Sequence, residues 1–578
     1  MRQYFEKMPG VFGKPLDENK KKQMQENLSQ ISAEEKKIAD AVLKVKNAGI
    51  PAETLHTRGE KTGWERIDML VDPGTFLPLN TLLNPKHNEE GTTGVINGIG
   101  RIAGKYASII ASDNKVLAGA WIPGQMENIF RAQDIAELFN IPLVWVLNCS
   151  GVKLTQQEEV YAGRRSGGRT FFRHAELVQK GIPVIVGVFG TNPAGGGYHS
   201  ISPAIIFAHK NANMAVGGAG IVSGMSPKGG FDLEGAKQII EATKKFKQSP
   251  PGSVSTHYNH TGFFKEVFET EEGVINALRN CVKMMPSYDS EFFRVTESKP
   301  PAFAPEEMDY IVPMNQKRAY EIEQVLARIF DNSEHTEYRP DYGCEMYCGM
   351  AKLDGFPVGV IANRQGFLKK GYPAYADYPG IGGKLYREGL IKMSELVTYC
   401  GRDRMPVIWI QDTSGIDVGD IAEKAELLGL GQSLIYSIES SGVPMATVVL
   451  RKGTAAAHYV MGGPQGNRNN AFTLGVPTTE IYVMHGETSA VASFARRLLK
   501  EQEANKPLEP VIDTMNKLAQ EYYEKSRPLH CAQNGFVDEV VSLPKLRDYF
   551  VAFCRMAYQN PKSYCPRHQM LLPRTIKG

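Results

Sequence analysis

Two short turns carry residue types whose spacing suits the stabilisation of an oxyanion. Counting 12 and 13 residues on from Pro183 reaches Gly195 and Gly196 in PAGGG, and the same count from Pro444 reaches Ala456 and Ala457 in TAAAH. Where a strand ends and a helix begins, the first N–H groups have no partner within the helix, and side chains this small let a ligand oxygen approach them. Each half offers a second donor at another strand end, Ser150-Gly151-Val152 in one and Ser414-Gly415-Ile416 in the other. Parallel-strand order brings such ends to one sheet edge. Val152 with Gly195 and Gly196, and Ile416 with Ala456 and Ala457, are therefore the candidate catalytic positions. Gly151, Gly197 and Gly415 are candidates for close approach to a bound cofactor or substrate. Two equivalent turns suggest two oxyanions, as when a group passes between two carbonyl-type partners that each become enolate-like.

Other constellations carry less. Ser150 and Ser414 precede glycine but lack the GxSxG elbow, and no spacing assigns either a histidine partner, which argues against serine hydrolase chemistry. His199 and His458 lie just inside the expected helices, where a packed histidine is commoner than an acid or base. His257 and His260 find no third ligand in the sequence, so no metal site is expected. Arg164, Arg165 and Arg169 in RRSGGR, with Lys153, form a cluster able to hold an anionic carrier such as a phosphorylated coenzyme, or else a solvated loop. Gly98, Gly100 and Gly104 do not have dinucleotide-loop spacing and read as a hairpin. Neither Lys392 in LIKMSEL nor Lys283 in CVKMMP stands in the AMKM turn expected of a biotin attachment site. Any biotin must arrive on a partner.

The elements that position the two turns occur twice. A helical pattern from Gln125 to Phe139 leads to IPLVWVLNCSG (141–151), and one from Gly389 to Cys400 leads to MPVIWIQDTSG (405–415). Pro142, Trp145, Ser150 and Gly151 match Pro406, Trp409, Ser414 and Gly415 in a chain with only four tryptophans. Gly181-Ile182-Pro183 then opens one apolar run and Gly442-Val443-Pro444 another. Internal duplication decides the fold class before any single motif does. Continuous apolar strands alternating with helices predict an α/β protein with two largely parallel sheets, each covered on both faces. Residues 93–113 predict a hairpin turning at Gly104, and residues 18–48 an N-terminal helical segment. The Pro-rich stretch at 300–307 places a boundary between a domain of 1–299 and one of 300–578.

Composition agrees with this reading. With 578 residues, 42% hydrophobic, the chain is long enough for two cores. A formal net charge of +3 does not provide a nucleic-acid surface. Eight cysteines without a CxxC pair suggest reduced thiols, and no apolar run approaches a membrane span or a signal peptide. A cytoplasmic protein is expected.

WERIDMLVDPGTF (64–76), the 93–113 hairpin, FFRHAELVQKGIPVIVGVFG before PAGGG, LRKGTAAAHYVMGG (450–463) and GFVDEVV (535–541) resemble the biotin-dependent carboxyltransferase family over nearly the whole chain. The resemblance implies two crotonase-like domains, in a homodimer or higher oligomer where the first domain of one subunit faces the second of another. It implies that the first hole holds the thioester carbonyl of an acyl-CoA, glutaconyl-CoA or a relative, and that the second holds the ureido oxygen of biotin on a partner carrier. It further implies membrane decarboxylase subunits of a sodium-pumping complex, with this chain at the cytoplasmic side. Common relatives have SGGAR at the first turn, whereas this chain has SGVKL, with Lys153 where arginine is usual. The second hole has AAA where GGA is frequent.

Two other readings stay open at this point. A crotonase-type hydratase or isomerase needs positioned carboxylates, and the nearest in sequence to the first turn are Glu158 and Glu159, some way off in a helix. A non-catalytic scaffold would bind partners without turnover. Direction of transfer and acyl group do not follow from the residue chemistry.

Overall fold

A computed structural model describes residues 10–201, 205–217, 232–248, 251–287, 290–368, 380–463 and 466–560. They form two compact units, one of residues 41–287 and one that joins 10–40 to 290–560.

In the first unit the strands are β1 (Leu77–Leu79), β2 (Val95–Ile102), β3 (Lys105–Ser112), β4 (Leu143–Leu147), β5 (Val184–Val188), β6 (Thr191–Pro193), β7 (Ile205–His209), β8 (Asn213–Ala215) and β9 (Glu266–Phe268). The main sheet has the order β1-β2-β3-β4-β5-β7-β9, and β6 pairs with β8 beside it. The β2–β3 hairpin is antiparallel, with Ile102 opposite Lys105. Ala103 and Gly104 both take positive φ, the backbone of a two-residue turn whose twist matches that of its strands. From β3 onward the pairs are parallel. Side chains on β3 to β5 alternate between two cores. Ile110, Trp145, Leu147, Val184 and Val186 join Met126, Ile129 and Leu177, from the helices Gln125–Phe139 and Gly167–Gln179. Ile109, Val144, Val146 and Ile185 join Ile67, Leu70, Val274 and Leu278, from the helices Gly63–Leu70 and Glu271–Met284. A strand buried on both faces cannot alternate polar and apolar residues, which is why these runs are continuously hydrophobic.

The second unit repeats the order with β10 (His335–Glu337), β11 (Met346–Leu353), β12 (Phe356–Asn363), β13 (Lys384–Leu385), β14 (Val407–Thr413), β15 (Gly415–Ile416), β16 (Met445–Thr454), β17 (Asn470–Gly475), β18 (Glu480–Tyr482) and β19 (Glu539–Val540). Its main sheet runs β10-β11-β12-β14-β16-β17-β19, with β18 also on β16 and a small β13–β15 ladder. The hairpin recurs, turning at Asp354 and Gly355 with positive φ at both. This second hairpin extends the repeat beyond the segments that the proline and tryptophan spacing aligns.

The N-terminal segment forms the helices Glu18–Gln23 and Gln25–Lys46. The buried face of the longer one is Asn27, Ile31, Glu34 and Ile38, one stripe at helical spacing. Asn27 Nδ2 donates to the carbonyl of Tyr310 at 2.8 Å, and Glu34 meets Arg527 at 3.4 Å. These contacts group residues 10–40 with the second unit, whereas the expected division at 299/300 places them with the first.

Candidate oxyanion holes

In the first unit the turn after β4 runs back alongside Trp121. Trp121 N–H donates to the carbonyl of Gly151 at 2.7 Å, and Lys153 N–H donates to the carbonyl of Trp121 at 2.9 Å. Successive N–H groups of an extended segment point to opposite sides. Val152 N–H therefore points away from this bridge, and among the described residues it has no hydrogen-bond partner. Gly151 has φ of +103°, a conformation that favours glycine.

The second segment is the helix Gly195–Ile201. Ala194 has φ of +51°, and its carbonyl accepts from Tyr198 N–H at 3.1 Å. The amides of Gly195, Gly196 and Gly197 then lie in the first turn, without intrahelical partners. The two segments touch: a Cβ on Gly196 would lie 2.7 Å from the carbonyl oxygen of Cys149, and one on Gly151 3.7 Å from Cγ of Pro193. A Cβ on Gly195 would lie 2.6 Å from the Trp121 ring, and one on Gly197 3.1 Å from the carbonyl of Ala215. The glycines are thus required on their inner side, by close packing of the turn, as well as by any ligand outside. Asn192 ties the segments further, accepting from Cys149 N–H at 2.8 Å and donating to the carbonyl of Phe189 at 2.8 Å. Neither Asn192 nor Trp121 stands out in the sequence, since their partners lie far along the chain.

The second unit builds the same arrangement from different residues. Asp417 N–H donates to the carbonyl of Leu385 at 3.0 Å, which leaves Ile416 N–H off the β13–β15 ladder as Val152 N–H is off its bridge. Gly415 has φ of +126°, and Gly415 N–H donates to Thr413 Oγ1 at 3.2 Å. The helix Ala455–Val460 packs on β15 and opens at Ala455, with φ of +50°. Ala455 and Ala194 each stand 11 residues beyond the repeated proline, so the backbone kink recurs with the spacing. Ala456 is exposed and Ala457 buried.

The charged candidates are mostly engaged. Lys153 lies 2.6 Å from Glu90 and 3.1 Å from Glu89, and Glu90 first among them holds its ammonium above the usual lysine range. These carboxylates come from some sixty positions away in sequence, and both pair with Lys153. Arg165 forms a bidentate pair with Glu127 (2.7 and 2.6 Å), and Arg169 pairs with Glu176 (2.6 Å). Arg164 is exposed and has no ion-pair partner among the described residues. Of the expected basic cluster, it alone is at liberty to meet an anion.

The histidines are packed side chains. Burial lowers the His458 pKa to about 4, and its Nδ1 lies 2.8 Å from Gln411 Oε1. His199 is enclosed by Trp121, Trp145, Phe171 and His174, and burial holds it neutral, well below the usual histidine range. His257 meets Thr261 and the carbonyl of Met214. Among the described residues no three His, Cys, Asp or Glu side chains lie together as a metal site. The buried Lys392 is held by Glu337 and the carbonyl of Met346.

Residues 54–571 match the carboxyl transferase domain family. The chain is 56% identical over its whole length, and over 98% of the relative's, to the glutaconyl-CoA decarboxylase subunit alpha of Acidaminococcus fermentans. It is 27% identical over 89% of its length, and 83% of the relative's, to the methylcrotonoyl-CoA carboxylase beta chain of Dictyostelium discoideum. Among solved structures it is similar to the beta subunit of Pseudomonas aeruginosa geranyl-CoA carboxylase, with a TM-score of 0.75, 22% identity and coverage of 97% of this chain and 99% of that one. The last likeness bears on the fold, which is that of two crotonase-like repeats. With its full-length identity and a domain match over most of its residues, the chain belongs to the biotin-dependent carboxyl transferase family.

Proposed function

We propose that the chain is the carboxyltransferase of a glutaconyl-CoA decarboxylase, moving the distal carboxyl group of glutaconyl-CoA to biotin on a partner carrier and leaving crotonyl-CoA. The observation that carries this is the recurrence of one off-ladder N–H, Val152 or Ile416, beside a helix opened by a positive-φ alanine. Loss of the carboxyl group leaves a dienolate whose charge reaches the thioester oxygen. Val152, Gly195 and Gly196 N–H groups stabilise that oxygen without a side-chain nucleophile or base.

The second hole suits a neutral ureido carbonyl. Its donors are amides, and a Cβ on Gly415 would meet nothing within 4 Å. Bound there, biotin would supply a ureido nitrogen that takes up the carboxylate and gives up its proton, the proton that converts the dienolate to crotonyl-CoA. Ile416, Ala456 and Ala457 N–H groups hold the ureido oxygen as charge builds on it. Identity to a decarboxylase alpha subunit supports partner subunits: a biotin carrier, and the membrane subunits of a sodium-pumping complex. No helix among the described residues is long and apolar enough to cross a membrane, and attachment through those partners at the cytoplasmic side is part of the same proposal. A homodimer or higher oligomer that sets a first hole of one subunit against a second hole of another completes the reading.

Because the donors are backbone, proline is the informative substitution. Ala457→Pro is expected to lose transfer to free biotin by about a hundredfold or more while binding acyl-CoA normally. A folded Ala457→Pro protein with near-normal transfer refutes the second hole. Water addition to crotonyl-CoA without biotin would point instead to a hydratase.

A further inference from the structure

We propose that Trp121 is the positioning residue of the first hole, its backbone holding the Val152 donor and its ring holding the helix that carries the Gly195 and Gly196 donors. The proposal rests on reading those three amides as the oxyanion donors. Two independent contacts converge on this one residue. Its N–H and carbonyl bracket Val152 through Gly151 and Lys153, which turns Val152 N–H outward. Its ring lies under the other segment, so close that a Cβ on Gly195 would sit 2.6 Å from it. A Cβ on Gly167 would sit 2.1 Å from the same ring, so the helix Gly167–Gln179 presses it from another side. Cys149, in the same apolar cluster as Trp121, packs against Gly196. His199 lies 5.1 Å from its centroid, and the residue is 4% exposed. The ring therefore cannot shift without moving the helix Gly195–Ile201.

The second repeat does without this device. Leu385 holds the matching place in the ladder with Ile416, and Ile416 Cδ1 packs towards Gly431, where a Cβ would be 3.4 Å away. Among the described residues, the ladder position that Trp121 fills in the first unit is thus filled by an aliphatic side chain in the second. Trp121 does not touch the reacting atoms, and its effect is on where two sets of N–H groups stand relative to each other.

The test uses the full chain, glutaconyl-CoA and free biotin, with thermal melts on every variant. Trp121→Leu is expected to lower kcat on the order of a hundredfold with KM for the acyl-CoA changed less than about threefold, since misplaced donors are felt in the transition state. Trp121→Phe, which keeps a plate, is expected within about tenfold of the parent. Gly195→Ala should cost at least about tenfold less in a Trp121→Leu background than in the parent, because the added methyl then has room. If Trp121→Leu does not fold, the same pairing in Trp121→Phe decides. Parent-like kcat in folded Trp121→Leu, a loss carried wholly by KM, or independent effects of the paired substitutions overturns the proposal. Val152→Pro separates it from the reading beneath it. Full transfer by Val152→Pro removes the first hole and Trp121's role together, whereas an inactive Val152→Pro beside an active Trp121→Leu removes Trp121 alone.

Discussion

Buried polar residues near the two holes differ in whether they are satisfied, and that difference predicts opposite responses to substitution. Asp412 and Arg451 are each 1% exposed at the side chain and 2.7 Å apart. Tyr320 donates its hydroxyl to the same carboxylate at 3.0 Å, and Asn363 accepts from Asp412 N–H at 2.9 Å. Asp412→Ala leaves a buried guanidinium without its charge partner and should cost about 3 to 5 kcal/mol. A loss under about 1 kcal/mol in urea unfolding would contradict that. His199 is the reverse case, fully buried with both ring nitrogens lacking a hydrogen-bond partner among the described residues. An unsatisfied buried donor costs about 1 to 3 kcal/mol, so His199→Leu should leave stability unchanged or raise it. A clear drop in the unfolding midpoint would show that the ring contacts with Trp121 and Trp145 outweigh the missing hydrogen bonds.

At the level of elements, the shared motif is a strand that ends in a positive-φ alanine before a short helix. Ala194 and Ala455 both adopt it, at a strain of roughly 1 to 2 kcal/mol that glycine would not feel. Ala455→Gly is therefore expected to be neutral or stabilising by up to about 1 kcal/mol, measured by the thermal midpoint. Destabilisation would mean that the methyl of Ala455 packs in a way its conformation does not reveal. The repeat itself is legible in the sequence because Pro142, Trp145, Ser150 and Gly151 recur as Pro406, Trp409, Ser414 and Gly415, and continuous apolar strands admit only a doubly covered sheet. The second hairpin is marked by Asp354-Gly355, the dipeptide a two-residue turn favours, once the first is aligned to it. The kink at Ala194 and Ala455 is not legible, since alanine does not announce positive φ. Nor are Trp121, Asn192, Glu89 and Glu90, whose roles come from partners tens of residues away. The arginine cluster shows the converse: RRSGGR reads as free charge until Glu127 and Glu176 arrive from other positions and neutralise most of it.

On the scale of the whole molecule, the two units should respond differently to acid. A histidine buried neutral has its pKa lowered by folding, so the stability it contributes is present above the unfolded value near 6.5 and is lost as pH falls towards the folded one. A carboxyl whose pKa is raised by burial contributes stability that is present below the unfolded value near 4 and lost as pH rises through the folded one. Between about pH 4.5 and 6.5 the two classes oppose each other, and the balance decides the slope. In the first unit burial pushes His174 to about 3, and lowers His199 and His209. Against them stands Asp113, raised by burial to about 6. In the second unit burial brings His335 to about 3 and His458 to about 4, and lowers His485. Four carboxyls oppose these, Glu345 and Asp309 raised by burial to about 7, and Glu35 and Glu480 also raised by burial. Histidines outnumber raised carboxyls in the first unit and not in the second, so on acidification from pH 6.5 to 4.5 the first unit should loosen before the second. Hydrogen exchange at matched intrinsic rates reads this directly, as faster opening of amides in β3, β4 and β5 than in β12, β14 and β16. Glu345→Gln sharpens the test, because an uncharged side chain can still accept from Tyr386 and Gly389 N–H, as Glu345 Oε1 does at 3.2 and 3.1 Å. The variant should be more stable than the parent at pH 8 and equal to it at pH 4, the reverse of what removing an ion-paired carboxylate would produce. A variant less stable at pH 8 would place Glu345 among the groups that fold ionised, and the acid response of the second unit would then follow that of the first.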